Sequence, residues 1–137
     1  MQKRAQTRNG SHPLVLIAED DETLGGLISS ELRAVGFRTC LASDGVLAIN
    51  DIMSLRPDVL VLDLGLPRLP GQDICTMVRK SPSVNRTPIV VISGNSQHEN
   101  KLDLFDRGAD DFVAKPFEID ELSARVQVAW ERSQSRS

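Results

Sequence analysis

Apolar and polar positions alternate along this chain in blocks rather than singly. Leu14–Ala18, Val59–Leu62 and Pro88–Ile92 are apolar throughout. Runs of this length without alternation suit strands buried on both faces, as in a parallel sheet. Two more segments of strand length, Phe37–Leu41 and Asp111–Ala114, are mixed. Between the five candidate strands the period shifts to that of helices. Leu24, Leu27, Ile28, Leu32 and Val35 recur on one face and stop at Gly36, which predicts a first helix. Gly25 and Gly26 weaken it by about 1 kcal/mol each.

The second helix is expected from about Val46 to Leu55, with Leu47, Ile49, Ile52 and Met53 available to the core. Pro57 closes it, because proline disfavours helix in the residue before it. The third runs from about Gln72 to Lys80 with Ile74, Cys75 and Val78. The fourth, about Glu99 to Arg107, is short and mostly polar, with Leu102, Leu104 and Phe105 its apolar members. The fifth runs from about Ile119 to Glu131, with Leu122, Val126, Ala129 and Trp130 inward. Strands alternating with helices imply a parallel sheet covered on both faces with right-handed crossovers. The natural candidate is an α/β, flavodoxin-like doubly wound sheet of order 2-1-3-4-5. The expected organisation is a disordered basic leader over 1–13, one domain over 14–132 and a polar tail over 133–137. There is no internal repeat.

Composition narrows the function classes. The 137 residues carry 40% hydrophobic and 26% charged side chains, ordinary for one globular domain. A net charge of −3 and the absence of tyrosine argue against direct nucleic-acid binding. No apolar run approaches the ~20 residues of a membrane span. Cys40 and Cys75 lack metal-ligand partners at useful spacing and read as buried, reduced thiols of a cytoplasmic protein. His12, in the leader, is expected to be inert.

The chemistry lies at the strand ends. Strand one runs into Glu19, Asp20 and Asp21; strand three ends on Asp63, strand four at Ser93 and strand five at Lys115. In a parallel sheet these ends share one edge, so residues distant in sequence converge. Neighbouring carboxylates in a cleft repel one another, and a hard divalent cation relieves that. A lysine and a hydroxyl opposite complete a cradle for a phosphoryl group, and the Asp63 carboxylate could attack phosphorus directly. Each residue has a dull explanation as cap, turn or surface charge, and acids opening a helix are commonly caps. Four dull explanations meeting at four strand ends is the less economical account.

From Leu14 to about Arg132 the chain resembles the receiver domain of two-component response regulators. The matching segments are Leu-Ile-Ala-Glu19-Asp20-Asp21, Pro-Asp-Val-Leu-Val-Leu-Asp63-Leu-Gly65-Leu-Pro67, Pro-Ile-Val-Val-Ile-Ser93-Gly94 and Asp-Phe112-Val-Ala-Lys115-Pro116. The resemblance implies that Asp63 is the phosphoacceptor. It implies a Mg2+ (or Mn2+) site of Glu19, Asp20, Asp63 and the backbone carbonyl of Gly65, with Asp20 a direct ligand and Glu19 acting through water. Ser93 matches the switch hydroxyl, Lys115 the lysine that pairs with the phosphoryl group, and Phe112 the rotameric aromatic. Lys101, Asp110, Asp111, Glu121 and Arg125, with Asp106, match charges of a symmetric dimer face made by helix four, strand five and helix five. Glu19 stands where many members have Asp, and Pro70 where many have Asp or Asn. Gly65 replaces a bulkier residue, and Gly65 and Asn95 flank the site where phosphoryl lifetime is set.

The resemblance implies a switch rather than an enzyme, taking part only in its own phosphorylation and dephosphorylation. Its donor would be a histidine kinase or a histidine phosphotransfer protein. Its output would be a downstream protein or an output domain outside this chain, with a homodimer as one form. Two alternatives stand beside it. One is a small Mg2+-dependent phosphohydrolase with Asp63 as nucleophile, although Gly65 sits where a second acid would be needed. The other is a phosphate-independent interaction module of the same fold.

Overall fold

A computed structural model describes Ala5 and residues 11–94 and 101–135. The strands are β1 (Leu14–Ala18), β2 (Arg38–Ala42), β3 (Val59–Asp63), β4 (Ile89–Ser93) and β5 (Asp111–Ala114). The helices are α1 (Glu22–Ala34), α2 (Gly45–Leu55), α3 (Gly71–Lys80), α4 (Lys101–Asp106) and α5 (Ile119–Ser135). All pairings are parallel, and the strand order is β2-β1-β3-β4-β5, as the alternation of elements predicts.

Burial explains the unbroken apolar runs. Leu16, Leu60, Leu62, Ile89 and Val91 join one core layer with Ile52 of α2 and Ile74 and Val78 of α3. Val15, Val59, Val61, Val90 and Ile92 join the other with Ile28 and Leu32 of α1 and Leu122, Val126 and Trp130 of α5. Successive strand residues point to opposite faces, and here both faces are covered. Each fully buried Leu or Ile contributes about 1.5–3 kcal/mol.

The helix starts are set locally. Asp21 accepts from the Leu24 N–H at 3.1 Å and Asp44 from the Leu47 N–H at 2.8 Å. These are N-caps, worth about 1 kcal/mol each. α1 ends in a Schellman motif, with the Phe37 N–H on the Leu32 carbonyl at 3.0 Å and the Gly36 N–H on Arg33 at 3.1 Å.

Two residues expected on the core side, Leu27 and Leu47, are exposed, at 54% and 45%, and on α4 Leu102 and Phe105 are exposed while Leu104 is buried. On α1 the sheet-facing positions go to Gly25 and Ser29 instead. A Cβ on Gly25 would make ordinary contact with Leu41 Cδ2 of β2 at 3.5 Å, and Ser29 Oγ bonds Thr39 Oγ1 at 2.7 Å. Ala48 takes the place expected of Leu47. Cys75 is buried as expected, whereas Cys40 is only half-buried. β2 and β4 each begin and end one residue later than the apolar runs suggest, and α5 continues to Ser135. The expected start of the fourth helix at Glu99, and Asn95, lie outside the described residues. Within the expected leader, the Ala5 N–H donates to the Val35 carbonyl at 3.0 Å and His12 Nδ1 lies 3.1 Å from the Ala5 carbonyl.

Candidate functional site

The C-terminal ends of β1, β3, β4 and β5 converge on one edge of the sheet. Register places Asp63 beside Ile92 and Ser93 beside Ala114, so Asp63, Ser93 and Lys115 stand on successive strands. The Lys115 N–H donates to the Ser93 carbonyl at 2.7 Å, which fixes where the lysine leaves β5. Glu19, Asp63 and Ser93 are buried, at 4%, 4% and 2% exposure. Asp20 is exposed at the rim.

One carboxylate oxygen each from Glu19, Asp20 and Asp63 lie within 4.8 Å of one another. Among the described residues one cation stands against these three acids. Lys115 Nζ donates to Asp63 Oδ2 at 3.1 Å and lies 3.4 Å from Glu19 Oε1. Burial works against the ammonium, but the hydrogen bond and charge of Asp63, with Glu19 behind it, outweigh that and hold Lys115 above its ordinary pKa. Glu19 is pushed up to about 7, by burial first and then by its contact with Asp63. Its Oε2 accepts from the Asp21 N–H at 3.2 Å, while its buried Oε1 has no hydrogen-bond partner.

The loop after β3 is held on both sides. Asp63 Oδ1 accepts from the Gly65 N–H at 2.9 Å, so the acid organises the start of its own loop. The Gly45 N–H donates to the Pro67 carbonyl at 3.0 Å. A Cβ at Gly45 would overlap the Leu69 carbonyl oxygen, and one at Gly71 would stand 2.9 Å from the Asp63 carbonyl oxygen. Only glycine admits this approach. Two glycines, Gly45 at the start of α2 and Gly71 at the start of α3, thus let the loop pack.

A donor set of hard oxygens, excess negative charge and an unsatisfied buried carboxylate oxygen fit a hard divalent cation of the Mg2+ kind. Asp21, the third acid after β1, is occupied as the α1 cap.

The model of the response regulator receiver domain family matches residues 15–127. The chain belongs to this family. Response regulator protein PmrA of Pseudomonas aeruginosa is 38% identical over 123 residues, which are 90% of this chain and 55% of that protein. The receiver domain of the Francisella response regulator 1452 has 34% identity and a TM-score of 0.82, over 89% of this chain and 99% of that one. A receiver domain of the sensor histidine kinase PA1611 from Pseudomonas aeruginosa PAO1, with magnesium coordinated in its active-site cleft, matches at 27% identity and a TM-score of 0.79, over 88% of this chain and 99% of that one. The chain spans about half the length of the curated relatives it matches.

In this receiver four residues of the expected dimer face, Asp110, Asp111, Glu121 and Arg125, are engaged within the chain. Asp111 takes two hydrogen bonds from Arg125 Nη1, at 2.9 and 3.0 Å, and Arg125 Nη2 lies 3.6 Å from Glu121. Asp110 accepts from the Ile89 N–H at 2.7 Å and from Arg79 Nη2 at 2.9 Å. Arg79 also donates to the carbonyls of Gly108, Asn85 and Thr87, tying α3 to β4 and to the turn before β5. Sequence reasoning missed this arginine, because at the end of α3 it reads only as a dipole partner. Phe112 is half-buried, with its ring edge-on to Phe105 at 6.5 Å. The side chain of Lys101 lies outside the described residues.

Proposed function

We propose that this receiver accepts a phosphoryl group on Asp63 and uses it as a switch. The observation that carries the reading is a buried Asp63 bonded to the Lys115 ammonium in a cleft that also holds Glu19 and Asp20. The donor is a phosphohistidine of a kinase or phosphotransfer protein. A carboxylate oxygen of Asp63 forms the new P–O bond as the P–N bond breaks, and the electron pair leaves with the imidazole. Asp20, Asp63 and the Gly65 carbonyl, with Glu19 behind them, would hold Mg2+ or Mn2+. When bound, the cation supplies charge neutralisation for the carboxylates and the transferring oxygens.

Lys115 stays in the cleft and exchanges a carboxylate oxygen for a phosphoryl oxygen. The Ser93 hydroxyl donates to another. Both residues flank β5, so their movement reaches Phe112 and the α4–β5–α5 face. A symmetric dimer through that face would exchange the Asp111–Arg125 pair within one chain for contacts between two. The receiver works in the cytoplasm, signals to a downstream protein or to an output domain in the rest of its chain, and turns over no other substrate. Among the described residues no helix is long and apolar enough to cross a membrane.

The test is a titration with Mg2+ and beryllofluoride followed by amide NMR. Shifts are expected at Asp63, Ser93 and Phe112, with loss of the response in Asp63→Asn. If that variant responds as the parent does, Asp63 is not the acceptor.

A further inference from the structure

Strand β2 forms the edge of the sheet far from β5 and, among the described residues, pairs only with β1. The Arg38 N–H donates to the Pro13 carbonyl, and the Ala42 carbonyl accepts from Glu19. Since parallel pairing uses every second residue, Arg38, Cys40 and Ala42 bond β1. Thr39 and Leu41 turn both backbone groups to the open side. Such an edge is a template for another strand unless it is covered.

Beside this edge, between it and the end of α1, lies an open groove of about 610 Å³. Its lining includes Arg33, Arg38 and His12, with Phe37 on its floor and Leu41 half exposed at one end. Arg38 Nε is held by the His12 carbonyl at 2.8 Å. Among the described residues neither Arg33 nor Arg38 has a carboxylate partner, whereas Arg79 and Arg125 are both paired with acids. On a chain of net charge −3, the groove is therefore a local concentration of free positive charge. Arg38 leaves β2 on the same side as Cys40 and Ala42 but reaches the groove at the strand's start, where the His12 carbonyl holds it, whereas the Cys40 thiol is pushed up by burial and then by the charge of Asp51 on α2.

We propose that this edge takes up an extended acidic segment of a partner protein as an additional strand. Its backbone pairs with Thr39 and Leu41, and its carboxylates meet Arg33 and Arg38. Because side chains alternate across a strand, acids belong only at positions over the groove. Positions on the Asp51 side are neutral. The site is independent of Asp63 and leaves the phosphoryl cleft open.

The probe is a blocked peptide of alternating Glu and Val, labelled for fluorescence anisotropy and followed by amide NMR. It is expected to bind in a salt-dependent way, to shift Ser29, Gly36, Thr39 and Leu41, and to slow exchange of the Thr39 and Leu41 amides. Charge reversal in Arg33→Glu with Arg38→Glu should weaken binding by about tenfold or more. Arg38→Gln alone should weaken it less. Asp63→Asn should bind as the parent does, which separates this site from the phosphoryl switch. Equal binding of a Lys-Val peptide, or of a peptide with its Glu and Val in two blocks, would overturn the proposal. So would unprotected Thr39 and Leu41 amides, or the same shifts produced by a single-stranded oligonucleotide.

Discussion

Two pairs of adjacent acids stand at opposite ends of the sheet, and the fold treats them differently. Asp110 and Asp111, where β5 begins, are each matched by an arginine at 2.9 Å. Glu19 and Asp20, where β1 ends, share Lys115 with Asp63. The acids at the start of β5 are neutralised by side chains from α3 and α5. At the end of β1, among the described residues, three carboxylates face one ammonium, and the buried Glu19 Oε1 has no hydrogen bond, only the Lys115 charge at 3.4 Å. The first arrangement ties elements together. The second holds charge that a cation and a phosphoryl group can use, at a cost in stability.

The contrast can be broken from either end. The largest effect is expected at the underpaired end. Asp20→Asn should weaken Mg2+ binding by roughly tenfold or more, read from amide shifts in a titration. The same change should raise the melting temperature of the metal-free chain, since it removes like-charge repulsion. Unchanged affinity would take Asp20 out of the site.

At the paired end, Arg79→Ala removes five hydrogen bonds. It leaves Asp110 partly buried without its cation. A loss of about 3 kcal/mol is expected in urea unfolding, with Mg2+ affinity unchanged. A variant as stable as the parent would mean that the clamp contributes little.

A smaller effect comes from pH. Glu19 is raised from 4.5 to about 7 in the folded chain. The folded state therefore holds that proton more tightly than the unfolded state. Its stabilisation is complete below the unfolded value and is lost as pH rises through about 7. The metal-free chain should weaken over that window, while Mg2+ binding should tighten as the competing proton leaves. Glu19→Gln should flatten both profiles; persistence of either would place its origin elsewhere.

The smallest effect belongs to Arg125→Ala. Its side chain is 40% exposed, so loss of the Asp111 pair should cost only ~0.5 kcal/mol. A much larger loss in thermal melts would show that this pair holds β5 to α5.

The site was legible in the sequence because strand ends are. A continuous apolar run that stops at Asp63, or at Ala18 before Glu19, marks both the strand and its chemistry. Helix faces were read less well. The period that groups Leu27 with Leu24 and Ile28 does not reveal that Gly25 and Ser29 are buried on α1 while Leu27 is exposed. On α2 the periodicity likewise points to Leu47, which is exposed, while Ala48 is buried in its place. Asp21 could be assigned to cap or cleft only when its bond to Leu24 was known.

By itself, then, the sequence determined the order of strands and helices, the two-faced burial of the sheet and the residues delivered to its C-terminal edge. These follow from periodicity and turn chemistry, which act over a few neighbouring residues. Tertiary structure alone decided which carboxylates are neutralised. Arg79 meets the Gly108 carbonyl across 29 positions of chain and Lys115 meets Asp63 across 52. It also decided that Gly45 on α2 must be bare for the Asp63 loop to pack, and that Arg33 and Arg38 flank a strand edge that, among the described residues, has neither a pairing strand nor an acid for them. Contacts of that range depend on how the layers pack, and no local pattern encodes them.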